Sequence, residues 1–257
     1  TETGLSEGVF WDFEEKEINK KLLEYYGIPS ELIAETVPAI GADVTIRDDI
    51  AEKLGLSKDI KITYRAGDQP NNAFSLNVLN PGPGEVAATA GTSGVIYAVS
   101  DKNVFDKKSR INTFLHVNNN KQQARNGILI INNGTGILYS WLKKILNTGG
   151  ANLDYELMNE LADQADPGAN GIHFFPFGNG AERVLENKII GAQLLNIDFN
   201  QHTTKHIVRA GLEGIVFALN IGFEMLSDMK VPAKTIRVGH ANLFLSETFR
   251  QIFTNVT

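Results

Sequence analysis

The sequence predicts an α/β fold, and three observations carry that expectation. Short runs of β-branched and small apolar residues, such as 85–90 and 95–99, alternate with stretches of helical spacing, such as 205–227. Glycines punctuate the junctions, among them Gly67, Gly82, Gly84, Gly91, Gly94, Gly134 and Gly136. The composition is that of a globular protein, with 42% hydrophobic and 21% charged residues in a chain of 257. That length suffices for one large or two small domains with a real core.

Composition also narrows the function classes. A net charge of −6 argues against a nucleic-acid or anionic-membrane partner. The absence of cysteine removes disulfides, thiolate metal sites and cysteine nucleophiles, and fits a cytoplasmic location. No apolar run is expected to approach the roughly 20 residues of a membrane span, and no signal-peptide pattern opens the chain.

Residues 1–13 read as a strand already under way. The spacing of Ile18, Leu22, Leu23 and Tyr26 predicts a helix over 17–26, stopped by Gly27 and Pro29. Residues 40–47 and 48–56 then predict a strand, a turn and a helix. Residues 61–66 predict a strand that ends at Gly67, after which Asp68 opens a helix with Pro70 in its first turn. A hairpin over 85–90 and 95–99 turns at Gly91-Thr92-Ser93-Gly94, where glycine supplies positive φ at little cost. Further strands are expected at 114–117 and 124–131, and a helix behind Gly134 and Gly136. An amphipathic helix follows over 153–164, and a long apolar one over 205–227. Residues 234–242 predict a strand and a small-residue turn, with a helix from Ser246.

Asp68 sits where a strand hands over to a helix, and a small turn with two hydroxyls follows on the next hairpin. A phosphoryl-transfer site uses both features, a base for the acceptor hydroxyl and backbone N–H groups for phosphate oxygens. Each has a plainer reading. Asp at a helix start serves as an N-cap, contributing about 0.5–2 kcal/mol, and a Gly-Thr-Ser-Gly turn closes a hairpin. The glycine-rich start at Gly136 presents unpaired N–H groups suited to an anion, or is simply a helix start. His202 and His206, four apart, have the spacing of metal ligands, but no carboxylate or third ligand has fitting spacing. No metal ligand is assigned.

Taken together, these stretches resemble the FGGY carbohydrate kinase family, and most of all its xylulose-phosphorylating branch. The resemblance rests on Gly67-Asp68-Gln69, a helix, the Gly82-Pro83-Gly84 turn, and a strand ending in Gly91-Thr92-Ser93-Gly94. Further on, Gly171-Ile-His-Phe-Phe-Pro-Phe177 with Gly180-Ala-Glu-Arg183 is similar to the family's Gly-Leu-x-Phe-x-Pro-Tyr…Gly-Glu-Arg block. Ala192-x-Leu194-x-Asn196-Ile197, with His206-Ile207-x-x-Ala210-Gly211-Leu212-Glu213, resembles its C-terminal signature. There Asn196 replaces a glycine, a substitution that a left-handed turn tolerates, and Gly211 replaces a small or β-branched residue. Residues 239–242 resemble the adenine-binding glycine turn, with His240 in place of a glycine.

The resemblance implies a ribonuclease H-like fold, shared with actin and heat-shock chaperone ATPases. It divides the chain into 1–60, the tail of an N-terminal domain, and 61–257, a C-terminal nucleotide-binding domain incomplete at its end. It implies ATP-dependent phosphorylation of a sugar hydroxyl, with D-xylulose as the expected acceptor. Asp68 would be the catalytic base, and Asp68 and Gln69 would contact the sugar. Gly91, Thr92 and Ser93 would hold phosphates, Gly136 the ribose–phosphate region, and Gly239 with Asn242 the adenine. Mg²⁺ would bridge the phosphates, with its carboxylate partners in a facing N-terminal lobe that precedes Thr1. A homodimer is compatible with this reading. The alternatives are a glycerol, ribulose or gluconate kinase of the same family, and a non-catalytic nucleotide-binding module related to actin.

Overall fold

The computed structural model describes residues 1–257, apart from the side chains at positions 42 and 43. Its contacts divide into two compact units. One comprises Thr1–Gly82, Val99–Val104 and Thr113–Ile128; the other Pro83–Ala98, Phe105–Asn112 and Leu129–Thr257.

In the first unit the chain opens with helix α1 (Glu2–Glu7), not with the expected strand. Hydroxyls decide this. The Thr1 side chain accepts from the Gly4 N–H and caps the helix. The buried Ser6 hydroxyl donates to Thr3 O and accepts from Leu115 N at 2.8 Å, so the helix is fastened from within. Two short antiparallel strands, β1 (Trp11–Asp12) and β2 (Glu17–Ile18), precede helix α2 (Lys20–Tyr25), which Asn19 caps. The expected helix therefore starts three residues late, because Ile18 pairs with Trp11.

Strand β3 (Ile40–Thr45), helix α3 (Asp48–Leu54) and strand β4 (Lys61–Tyr64) follow, with β3 and β4 antiparallel. Helix α4 (Asp68–Ser75) is tied to β4 by the Tyr64 hydroxyl, which donates to Asn71 Oδ1 at 2.6 Å, and by stacking of Tyr64 on Phe74.

A five-stranded sheet runs in the order β11-β5-β6-β8-β7. Its members are β5 (Glu85–Ala90), β6 (Gly94–Ser100), β7 (Asn112–Leu115), β8 (Asn126–Asn132) and β11 (Thr235–Val238). Strand β5 pairs antiparallel with β6 and parallel with β11, with Ala90 opposite Gly94 at the turn. Alanines 87, 88 and 90 are buried, as befits a strand with a neighbour on each side.

The second unit also holds helices α5 (Gly136–Leu146) and α6 (Tyr155–Asp163), and the antiparallel hairpin of β9 (His173–Phe177) and β10 (Gly191–Leu195). Then come the long α7 (Thr204–Asp228) and α8 (Glu247–Val256). Asn196 holds φ at 61°, so it does stand in for glycine in a left-handed turn. Helix α7 is the spine of this unit, burying Leu212, Ile215, Val216, Leu219, Met225 and Leu226. By length and hydropathy alone it is apolar enough to cross a membrane, contrary to the sequence expectation. Two-thirds of its most apolar stretch is nonetheless buried within the protein. Phe244 meets Phe249 and Phe253 edge to face, and Phe253 also meets Phe223 of α7.

Strand β9 approaches its supports closely at two points. A side chain at Gly134 would overlap the Pro176 carbonyl, and one at Gly214 would overlap the Phe174 carbonyl. Both glycines therefore mark places where backbone meets backbone.

Candidate functional site

In the first unit, Asp68 is the first residue of α4 and exposed, with Gln69 beside it half-buried. The cap position belongs to Gly67, whose φ of −69° and ψ of 167° are extended. The capping reading of Asp68 therefore fails. Its carboxylate lies within the first turn, where the helix dipole favours negative charge. Over Gly67 lies the carboxyl group of Glu7, and a Cβ at Gly67 would run into both of its oxygens. Burial, and then the charge of Asp68, raises the Glu7 carboxyl above the ordinary carboxylate range.

In the second unit, a cavity of about 870 Å³ opens where three segments converge: the β5–β6 turn, the start of α5, and the turn before α8. That volume is in the range of small-molecule and cofactor pockets, roughly 300–1,000 Å³. Gly91, Thr92, Gly136 and Asn242, four of the expected nucleotide residues, line it together.

The convergence is built by close backbone contact. The Gly136 N–H donates to Gly91 O at 2.8 Å, and the Ile137 N–H donates to Thr92 O at 3.2 Å. A Cβ on Gly136 would lie 2.5 Å from Gly91 O, so only glycine lets the two segments cross here. This corrects the expectation of unpaired N–H groups at the helix start. The first two amides of α5 are spent on the turn, so the anion reading loses those donors. The expectation of positive φ in the turn is also corrected. Neither Gly91 nor Gly94 lies in the left-handed region, and Gly94 is required because a side chain there would meet Thr135 Oγ1 and Leu219.

Ser93 faces elsewhere, its hydroxyl donating to Asn133 Oδ1 at 3.2 Å, while Asn133 Nδ2 donates to Glu182 Oε1. Gly239 follows β11 but does not line the cavity. Asn242 does, at a left-handed φ of 53° that opens a 3₁₀ turn over Asn242–Leu245. Its amide nitrogen is the nearest neighbour a Cβ on Gly91 would find, at 3.5 Å.

Sequence reasoning missed the rest of the wall. Tyr139, one helical turn after Gly136, donates from its hydroxyl to Asn159 Oδ1 at 2.7 Å. Burial pushes that phenol well above its ordinary range, so it remains a donor at any physiological pH. Tyr155 stacks on Tyr139 with ring centres 5.6 Å apart, and Lys143 Nζ stands 4.2 Å over the Tyr155 ring. Leu243, Leu245 and Ser246 complete the third side, and the Ser246 hydroxyl caps α8. The spacing of Tyr139 from Gly136 was a usable signal, since positions i and i+3 share a helix face. Tyr155 and Asn159 arrive from another helix, and no local pattern announces them.

His202 and His206 do not form a metal site. Their rings meet edge to face, and His202 Nδ1 accepts from the Asp198 N–H. His206 caps α7 with Thr203. Among the described residues no group of three or more His, Asp or Glu side chains is arranged to hold a metal ion.

The sequence pattern of the FGGY family of carbohydrate kinases, C-terminal domain, matches residues 86–256. The chain belongs to that family. The gluconokinase of Bacillus subtilis is 27% identical over 259 residues, covering 97% of this chain and 47% of its own length. The xylulose kinase of Haemophilus influenzae is 27% identical over 242 residues, covering 93% and 46%. Among solved structures, the xylulose kinase of Rhodospirillum rubrum superimposes with a TM-score of 0.85 at 19% identity, over 98% of this chain and 49% of that one. These matches bear out the sugar-kinase fold expected from the sequence. This FGGY chain spans about half the length of the curated relatives it matches.

Proposed function

We propose that this chain supplies the nucleotide-binding half and the catalytic base of an ATP-dependent sugar kinase. The observation that carries the reading is the glycine crossing at Gly91 and Gly136, which opens a cavity of nucleotide size in a chain of the FGGY family. The residues present fit ATP. Asn242 and Thr92 offer polar groups, Tyr139 and Asn159 a hydrogen-bonded pair, and Leu243 and Leu245 an apolar wall for a base. Ser93 and Gly239, expected from the resemblance to touch phosphate and adenine, stay in the proposal as rim positions rather than cavity lining.

In the reaction proposed, Asp68 removes the proton from a sugar hydroxyl while its oxygen bonds to the γ-phosphorus of ATP. The bond to the bridging oxygen breaks, the electron pair leaves with ADP, and the proton stays on the Asp68 carboxylate. Gln69 contacts the sugar. Mg²⁺, when bound, neutralises phosphate charge. Its ligands are assigned to the half of the relatives' length that this chain does not span.

The acceptor we propose is xylulose, in line with the name of several relatives and of the R. rubrum structure. Gluconate is the second reading, favoured by the B. subtilis gluconokinase, which matches along 97% of this chain. The deciding experiment assays the intact kinase containing this chain on xylulose, gluconate, ribulose and glycerol, by ATP-dependent phosphate transfer. Preference for xylulose supports the first reading, and preference for gluconate the second. Nucleotide binding without transfer to any of the four would overturn both.

A further inference from the structure

The Glu7 carboxyl group is expensive where it stands. Its Oε1 atom is buried and accepts no hydrogen bond, an arrangement that leaves a desolvated acceptor unsatisfied. The charge that acts on it is that of another carboxylate, Asp68, so like charges oppose each other as well. A glutamine would have the same shape without the repulsion. The position is nevertheless closely fitted. Glu7 ends α1, whose start is capped by Thr1 and whose Ser6 is bonded to Leu115 N. From there its carboxyl group occupies the space that any side chain at Gly67 would fill, one residue before Asp68.

We propose that Glu7 is a positioning residue for Asp68: its carboxyl group fills the side-chain-free space at Gly67, fixes the entry into α4, and sets the local charge against which Asp68 receives the sugar proton. The proposal rests on the reading of Asp68 as base, and extends it to a residue that the motif around Asp68 does not contain. A proton arriving at Asp68 relieves the repulsion between the two carboxylates. Burial, and then the Asp68 charge, both raise the Glu7 carboxyl.

Two measurements separate this from a merely structural role. In the 257-residue chain, the Glu7 carboxyl carbon is followed by NMR through an acid titration, in the parent and in Asp68→Asn. The Glu7 midpoint should lie above the ordinary value in the parent and fall in Asp68→Asn. An unchanged midpoint overturns the proposal. In the intact kinase, Glu7→Gln preserves shape and removes the like charge, so the acid limb of the kcat/KM profile should move to lower pH. It should leave KM for ATP unchanged, and Glu7→Asp should restore part of the parent profile. A Glu7→Gln profile that superimposes on the parent also overturns the proposal. If Glu7→Gln does not fold, the titration in Asp68→Asn decides. If the intact protein phosphorylates no sugar, the sugar-kinase reading falls by itself, while the titration still reports whether Glu7 and Asp68 are coupled.

Discussion

Substituting Gly136 by alanine tests the crossing that builds the cavity. The new Cβ would sit 2.5 Å from Gly91 O and 3.1 Å from Gly91 C, against an ordinary carbon–oxygen contact of about 3.4 Å. The segments must therefore separate by roughly 1 Å, which strains both hydrogen bonds of the crossing, from Gly136 N and Ile137 N. Overpacking of this kind costs about 1–3 kcal/mol. Weakening the bonds adds about 0.5–1.5 kcal/mol each, and alanine's helix propensity returns up to about 1 kcal/mol. A net loss of about 2–4 kcal/mol corresponds to a fall in Tm of roughly 5–12 °C for a chain of this size. Scanning calorimetry reads that value. ADP titration should show affinity reduced at least about tenfold, since about 1.4 kcal/mol suffices. Gly91→Ala is the matched control, because its Cβ would meet nothing nearer than Asn242 Nδ2 at 3.5 Å and its φ is not left-handed. It should change stability by less than about 0.5 kcal/mol. Parent-like Tm and affinity in Gly136→Ala would refute the reasoning, as would equal destabilisation by Gly91→Ala.

Other outcomes follow from the same geometry. Asp68→Asn in the intact kinase should lower kcat by about 10²–10⁴-fold, the usual value of a general base, with ADP affinity intact. Because Asp68 is not the cap, its folding cost should stay below about 1 kcal/mol by thermal melting. Gly134→Ala, which drives a Cβ into the Pro176 carbonyl, should yield insoluble or unfolded chain in an expression test. Acid should destabilise the chain in two windows. His116, fully buried, is lowered to about 4 by burial and then by Arg125, so the unfolded chain binds its proton first. Stability should fall by about 3 kcal/mol as pH drops from about 6.5 to about 4. Asp106, held at about 2 chiefly by hydrogen bonding to Arg110, contributes a further loss of about 1 kcal/mol, after allowance for solvent screening, between about pH 4 and 2. Urea midpoints across pH should show both windows, and His116→Gln should erase only the upper one. The 257-residue chain alone should bind ADP but phosphorylate no sugar. Xylulose phosphorylation by it at the rate of an intact relative would refute the proposed division of labour.

The parts legible in the sequence were those with local causes. The hairpin at Gly91–Gly94 follows from two continuous runs of alanine and β-branched residues on either side of a glycine turn, and the start of α8 from the Ser246 cap. Helix α7 declared itself by the apolar spacing over 205–227, close to its observed bounds Thr204–Asp228. What failed depended on distant partners. Residues 2–7 form a helix because Ser6 finds Leu115, more than a hundred positions away, and nothing within the segment says so. The purpose of Gly136 was likewise hidden. A glycine at a helix start reads as a free donor end until Gly91 O is seen to occupy it. Tyr155 and Asn159 reach the cavity from α6, so only the packing of α6 reveals them.

The two glycines that meet β9 have a meaning for how such a chain can diverge. Gly134 admits the carbonyl of Pro176 and Gly214 that of Phe174, two residues apart on one strand. The strand is held like a rod in two notches, one cut in the loop behind β8 and one in the long helix. A side chain added at either notch pushes the strand outward, and its partner β10 must follow through the ladder that pairs Phe174 with Leu194 and Pro176 with Ala192. A descendant could therefore lose one glycine only by re-seating the whole hairpin. The identities of these two residues thus give a written record of where that hairpin sits, legible in any related sequence before its structure is known.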